Sequence, residues 1–201
     1  SAATSSGAGG AGGAGGAGGG GDPCLEAMPT CVVMRRGTFG TVEDATLWQS
    51  NPTYKDGAST SLYTGVSSGS QRYTLLRHDL AFVPTGSAVC SAIFKVTQAW
   101  KSTSSTVRLH QVLVPWTETT ATWNSLLGGW DPFTLGSFVA AGGSGDRAVD
   151  VTAMVQDWVD GVANYGVLLE EDAVDRSQFY ASDYASPVDR RPRLELCYVA
   201  P

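Results

Sequence analysis

The sequence is poor in charge and in histidine, and it has no long apolar run. Charged side chains make up 16% of the 201 residues, with 13 Lys and Arg against 19 Asp and Glu and a net charge of -6. Phosphate neutralisation needs clustered cations, so no nucleic-acid partner is expected. No apolar stretch approaches the roughly 20 residues that cross a bilayer as a helix, so no membrane span is expected. Only His78 and His110 are present. Each sits in an alternating strand-like run with no acid or nucleophile close in sequence, and no G-x-S-x-G elbow occurs. His78 shares a strand face with Leu76 and Leu80 and reads as a structural side chain. No catalytic residue is assigned, and the chain is not expected to be an enzyme.

Cysteine is sparse too, but its number is even. Cys24 and Cys31 enclose six residues and have Pro23 and Pro29 close beside them, a stiff loop that one disulfide can close. Cys90 and Cys197 lie in two strand-like runs that would bring them together as neighbours. Four cysteines nonetheless permit three pairings, and buried thiols are the plainer alternative for Cys90 and Cys197. Disulfides imply an oxidising compartment, so a secreted, extracellular or cell-surface protein is expected. The start at Ser1-Ala2-Ala3 is what a mature product cleaved behind small residues would show. There is no C-x-x-C with a nearby His for zinc.

What the sequence does hold in excess is glycine, 25 residues in all, concentrated at the N-terminus. Residues 7–21 read GAGGAGGAGGAGGGG, with Ala8, Ala11, Ala14 and Ala17 at a strict interval of three between Gly7 and Gly21. Such a stretch reads either as a linker or as an extended left-handed helix. That helix has three residues per turn, leaves two glycine edges bare and can dock on a neighbouring copy. The expected organisation is therefore a tail over 1–21 and one folded domain over 22–201.

From Cys31 onward, short runs rich in Val, Thr, Tyr, Phe and Leu alternate with Gly, Pro, Ser and Asn. They predict strands over 32–39, 43–48, 61–63, 71–80, 88–99, 106–114, 166–170, 178–182 and 193–199. Many strands and few helices mean an all-β, two-sheet antiparallel sandwich. The exception is 150–161, where Val151, Met154, Val155, Trp158 and Val159 recur at helical spacing. Asp150 or Thr152 is the expected N-cap and Gly161 the stop.

Glu170, Glu171, Asp172 and Asp175 could furnish oxygens for a structural calcium or, less readily, a glycosidase pair. No EF-hand-like motif supports the ion, so no metal or cofactor is assigned. Sugar recognition would instead use aromatic rings beside polar or basic groups. Trp48, Tyr54, Trp130, Tyr180 and Tyr184 fall near turns, with Lys55, Arg72 or Arg190 nearby as polar partners. Trp116, Trp123 and Trp158 read as core. Arg77 and Asp79 share one strand face, and a cross-strand ion pair is expected there.

Several runs, taken in order, carry a resemblance. They are Asn51-Pro52-Thr53-Tyr54 leading to Leu62-Tyr63-Thr64-Gly65, Leu75-Leu76-Arg77-His78-Asp79-Leu80, and Ser91-Ala92-Ile93-Phe94. They continue with Trp116-Thr117-Glu118, Thr122-Trp123-Asn124, Asp150-Val151-Thr152, Asn164-Tyr165-Gly166 and Arg191-Pro192-Arg193-Leu194. After about Thr41 the chain thus resembles the DNRLRE-domain family, extracellular jelly-roll-like sandwiches related to carbohydrate-binding modules. The resemblance implies a non-catalytic domain that in some cases binds polysaccharide. The glycine tail, 22–31 and an insertion around 126–138 lie outside it. Two functions follow as expectations. One is a structural subunit of a fibre, sheath or matrix that self-associates into a homopolymer through its tail. The other is a carbohydrate-binding module with the tail as a spacer. The period-three tail and the lack of a second domain for a binding module to serve favour the first.

Overall fold

Short strands build most of the computed structural model, which describes residues 21–201; some alternate between buried and half-exposed residues, whereas β2, β4 and β9 are buried on both faces. The expected tail residues Gly7, Ala8, Ala11, Ala14 and Ala17 lie outside the described residues, and Gly21, the first one described, is exposed. The strands are β1 (Thr30–Met34), β2 (Val42–Trp48), β3 (Ser61–Ser67), β4 (Ser70–His78), β5 (Ala88–Trp100) and β6 (Ser105–Gln111). They continue with β7 (Gly136–Ala140), β8 (Gly145–Asp150), β9 (Val167–Glu171), β10 (Ser177–Tyr180) and β11 (Arg193–Val199). Helices are α1 (Pro23–Glu26), α2 (Trp123–Leu126) and α3 (Thr152–Val159).

All pairings are antiparallel, and the fold is the expected all-β sandwich. One sheet contains β1, β11, β5, β8 and β10, and the other β2, β4, β9, β6 and β7. Strand β3 belongs to both. Its first half pairs with β10, Ser61 to Thr64, and its second half with β4 from Gly65 onward. The change of sheet falls at Gly65, whose φ of +98° suits glycine.

Between the sheets, Leu62, Leu76, Phe94, Val107, Leu109, Leu169, Phe179, Leu194 and Leu196 form the main core together with Val155 of α3. A second cluster covers the opposite face of β2, β4 and β9, where Trp116, Ala121 and Leu126 of the 112–130 loop pack on Ala45, Leu47, Leu75 and Leu168. Trp116 and Trp123 are thus packing residues, and Trp158 leans on the main core.

Several expectations need correction. Cysteine pairs run Cys24–Cys90 and Cys31–Cys197, not within 24–31. The reason is register: β1 lies beside β11 and sets Cys31 directly opposite Cys197. On the other side of β11, Cys90 falls at a bulge, skipped between Ser91 opposite Cys197 and Val89 opposite Tyr198. There it meets α1 instead. Strands β7 and β8 were not expected, because their Gly, Ser and Asp content hides the alternation. The run over 32–39 is a strand only to Met34, after which Arg35 and Phe39 pair across a tight turn. In α3 the N-cap is Val151, but the Asp150 carboxylate takes the Thr152 N–H at 2.9 Å and so performs the capping. Gly161 does terminate the helix, with φ +107°. The two one-turn helices α1 and α2 add to the single helix expected.

Candidate functional site

Where β3 changes sheets, alternation pushes aromatic side chains outward. Leu62 and Thr64 are fully buried, which leaves Tyr63 between them on the outer face. Across the ladder Tyr63 opposes Gln178 of β10, and Gln178 opposes Trp100 at the end of β5. Trp100 is 46% exposed. Two residues further along β10, on the same face, stands Tyr180, its ring 4.3 Å from that of Tyr184.

Trp48 ends β2 and meets Tyr63 edge to face at 5.9 Å and Tyr54 edge to face at 6.3 Å. Its indole N–H donates to Asp56 at 2.8 Å, which fixes the ring. Burial pushes the Asp56 carboxyl above its ordinary range, with the Trp48 hydrogen bond opposing. Tyr54 is 46% exposed and Lys55 exposed beside it.

Two guanidiniums complete the platform. Arg72 lies 4.2 Å above the Trp48 ring and 5.7 Å from Tyr63, and Arg176 lies 5.3 Å from Tyr63 on its own approach. Each contact is a cation–π arrangement. Arg176 also donates to Ser67 Oγ at 3.1 Å. Among the described residues neither forms an ion pair. Burial and then the neighbouring Arg176 charge hold Arg72 below its usual arginine range. Their Nε atoms are buried without a partner among the described residues. At the far end, Arg190 donates to the Tyr180 hydroxyl at 2.6 Å, its cation 5.1 Å from the ring.

Of the aromatics singled out in the sequence, Trp48, Tyr54, Tyr180 and Tyr184 thus line this edge, with Lys55, Arg72 and Arg190. Trp130 does not: it packs edge to face on Tyr73 in the second cluster, beside the stacked Tyr73–Trp123 pair. Tyr63, Trp100 and Arg176 went unnoticed. Their signal was strand alternation next to Leu62 and Phe179, which requires the register to be read.

The other residues weighed in the sequence are occupied structurally. His78 is buried in the core, and its pKa falls to about 4 through desolvation. His110 Nδ1 lies 3.0 Å from the Asp131 carbonyl, and Nε2 lies 3.0 Å from Glu170 but off the hydrogen-bonding direction. The acidic run splits between faces. Glu171 turns inward to Lys101, and Glu170 and Asp172 turn outward to Arg108. Asp175 accepts from Ser102 and Thr103, which lowers its pKa. Arg77 forms the expected cross-strand ion pair, with Glu43 directly opposite on β2.

Exposed rings such as those of Tyr54 and Trp100, flanked by basic groups, suit a sugar, whose C–H face lies on an aromatic ring while its oxygens meet polar side chains. No curated protein matches the chain by sequence. A family model described as carbohydrate-binding module family 96 matches residues 36–197, nearly the whole sandwich and all of the platform. The earlier expectation of a β-sandwich related to carbohydrate-binding modules holds in that form: the chain belongs to carbohydrate-binding module family 96.

Proposed function

We propose that this chain is a secreted, non-catalytic module that binds an acidic polysaccharide along the Trp48–Tyr63–Trp100 platform. One observation carries the reading: two guanidiniums without carboxylate partners among the described residues are held on aromatic rings in a protein of net charge -6. Among the described residues Arg36, Arg77, Arg108 and Arg193 are paired with carboxylates, and of the arginines that are not, Arg72, Arg176 and Arg190 lie on aromatic rings whereas Arg35, Arg147 and Arg191 do not. Arg72 and Arg176 have donors to spare, and a carboxylate or sulfate on a sugar is the natural acceptor. Tyr54 and Trp100 offer ring surface to the sugar itself, and the Tyr180, Tyr184 and Arg190 group extends the platform for a longer chain.

Two disulfides fit a protein that works outside the reducing cytosol. Kinship to DNRLRE domains belongs to the same reading, on the ordered motifs from Asn51 to Leu194. So does the division into a tail over 1–21 that acts as a spacer and a sandwich over 22–201. The fibre-subunit alternative rests on residues 1–20, and nothing among the described residues favours it over glycan binding.

Titration calorimetry against a polyuronate, a sulfated galactan and a neutral glucan tests the proposal. An acidic probe is expected to bind with an affinity that falls as salt rises. Arg72→Ala with Arg176→Met should weaken it about 10-fold or more, given roughly 1.5–3 kcal/mol for each charged hydrogen bond. Equal affinity of the double variant for the acidic probe overturns the reading.

A further inference from the structure

A second recessed site lies at the other end of β4. A cleft of about 670 Å³ opens between the end of β4, the 79–85 turn and the loop that follows α3. That volume is in the range of small-molecule sites, about 300–1,000 Å³. Leu80, Val83 and Trp158 give it an apolar side, and Glu43, Arg77 and Asp79 a polar one.

Its polar wall is built rather than incidental. Arg77 is clamped by the Glu43 carboxylate and lies 5.5 Å from the Trp116 ring, so its guanidinium is held in one orientation. Asp79 is exposed, and its Oδ1 accepts the Ala81 N–H at 3.0 Å, which aims the carboxylate. Its backbone N–H is tied to the Thr41 carbonyl at 3.0 Å. Asn164 fixes the opposite rim by donating to the His78 carbonyl at 2.8 Å and accepting the Gly166 N–H at 3.1 Å. Trp158 sits in the wall half-buried, anchored on the core.

The electrostatics are the reverse of the platform's. Glu43 cancels Arg77, and Asp79 is left over, so the cleft carries a net negative charge. A uronate or sulfate is repelled here, whereas hydroxyls find an acceptor in Asp79, donors in Arg77 and a ring edge in Trp158. The five steps along the strand from Arg72 to Arg77 span roughly 17 Å. At that distance, beyond about 10 Å and without shared partners, the two sites act independently.

We infer that this cleft is a second saccharide site, selective for uncharged hexose chains, so that one module can hold an acidic and a neutral chain together. The inference takes from the proposed function only that the ligand is a sugar. Bound simultaneously, the two chains are bridged, and on a composite surface the linked events give avidity.

Calorimetry with gluco-, manno- and galacto-hexaose, on wild type, the Arg72→Ala/Arg176→Met platform variant, Asp79→Ala and Ala81→Trp, tests it. Ala81 is exposed on the cleft rim, so the tryptophan plugs the cleft without touching the core. At least one neutral hexaose should bind wild type and the platform variant equally. Ala81→Trp should abolish that binding, and Asp79→Ala should weaken it about 5-fold or more. Retained binding of the acidic probe by Ala81→Trp shows that the fold is intact. Failure of all three hexaoses to bind wild type, or loss of neutral binding in the platform variant, overturns the inference. Neutral binding that persists while the acidic probe fails leaves this site standing and refutes only the platform reading.

Discussion

Lys101→Met should destabilise the sandwich by about 3–5 kcal/mol, because it leaves a buried carboxylate without its cation. The Lys101 and Glu171 side chains are both 0% exposed, and Nζ lies 2.5 Å from Oε1. Nζ also donates to the Asp175 carbonyl, and Glu171 accepts from Ser105 Oγ and, at 3.2 Å, from the Ser177 N–H. The pair therefore ties the end of β5 to β6, β9 and the start of β10. It sits beneath Gly65, where a Cβ would come within 2.9 Å of Glu171 Oε2. Methionine keeps the length of the lysine but removes the charge and two hydrogen bonds. For a domain of this size each kcal/mol moves Tm by about 2–4 °C, so a drop of roughly 6–20 °C is expected.

Urea titration of Lys101→Met, Glu171→Leu and the double variant separates the pair from simple loss of packing. The double variant should be less destabilised than the two singles added together, with a coupling of about 2 kcal/mol or more. Some loss remains in the double variant, since the Ser177 N–H is left without its acceptor. Because Arg176 precedes Ser177, Lys101→Met should also weaken binding at the platform. Additive single effects, or a Lys101→Met loss below about 1 kcal/mol, would refute the reasoning.

Two buried groups give opposing pH dependences. His78 has a folded pKa of about 4 against about 6.5 unfolded, so stability is fully present above pH 6.5. As pH falls to about 4, up to roughly 3 kcal/mol is lost, and His78→Phe should remove that loss in urea titrations run across pH. Desolvation raises Asp44 to about 7, although it accepts the Ser182 N–H at 2.5 Å and lies near Arg36. Its contribution is fully present below about pH 4 and is lost as pH rises from there through about 7, opposing the His78 trend over the same window, so Asp44→Asn should remove a decline between about pH 4 and 7. Peptide mapping without reduction should recover Cys24 linked to Cys90 and Cys31 linked to Cys197; a Cys24–Cys31 peptide would contradict the register of β1. Serine at Cys31 and Cys197 should remove about 5 kcal/mol, as a closure spanning 166 residues implies. Gly166→Ala should be severely destabilising in thermal melts, since φ is +78° and the new Cβ would lie 2.2 Å from the Leu76 carbonyl oxygen.

The sandwich was legible because its strands are short runs of residues that favour strands, bounded by turn residues and in places alternating, as with Leu194, Leu196 and Tyr198 of β11. Helix α3 was legible for the same kind of reason, through Met154, Val155 and Val159 on one stripe. What escaped was long-range. Local spacing pointed Cys24 at Cys31, but the neighbour of Cys31 is decided by β1 choosing β11, and that choice lies 166 residues away. Strands β7 and β8 escaped because Gly136, Gly145 and Asp146 carry no strand propensity of their own. At the platform, turn-proximal rings such as Trp48 and Tyr54 could be picked out by position. Trp100 and Arg176 could not, since they reach the platform only through the β5–β10–β3 register and a chain that returns beside Tyr63.

The most direct test of the central claim is amide and indole chemical-shift mapping of the ¹⁵N-labelled chain with an acidic oligosaccharide. The account predicts shifts concentrated at Trp48 Nε1, Tyr63, Arg72, Trp100 and Gln178 with the opposite end of β4 unmoved. Shifts confined to other surfaces, or none with any uronate or sulfated probe, would contradict it.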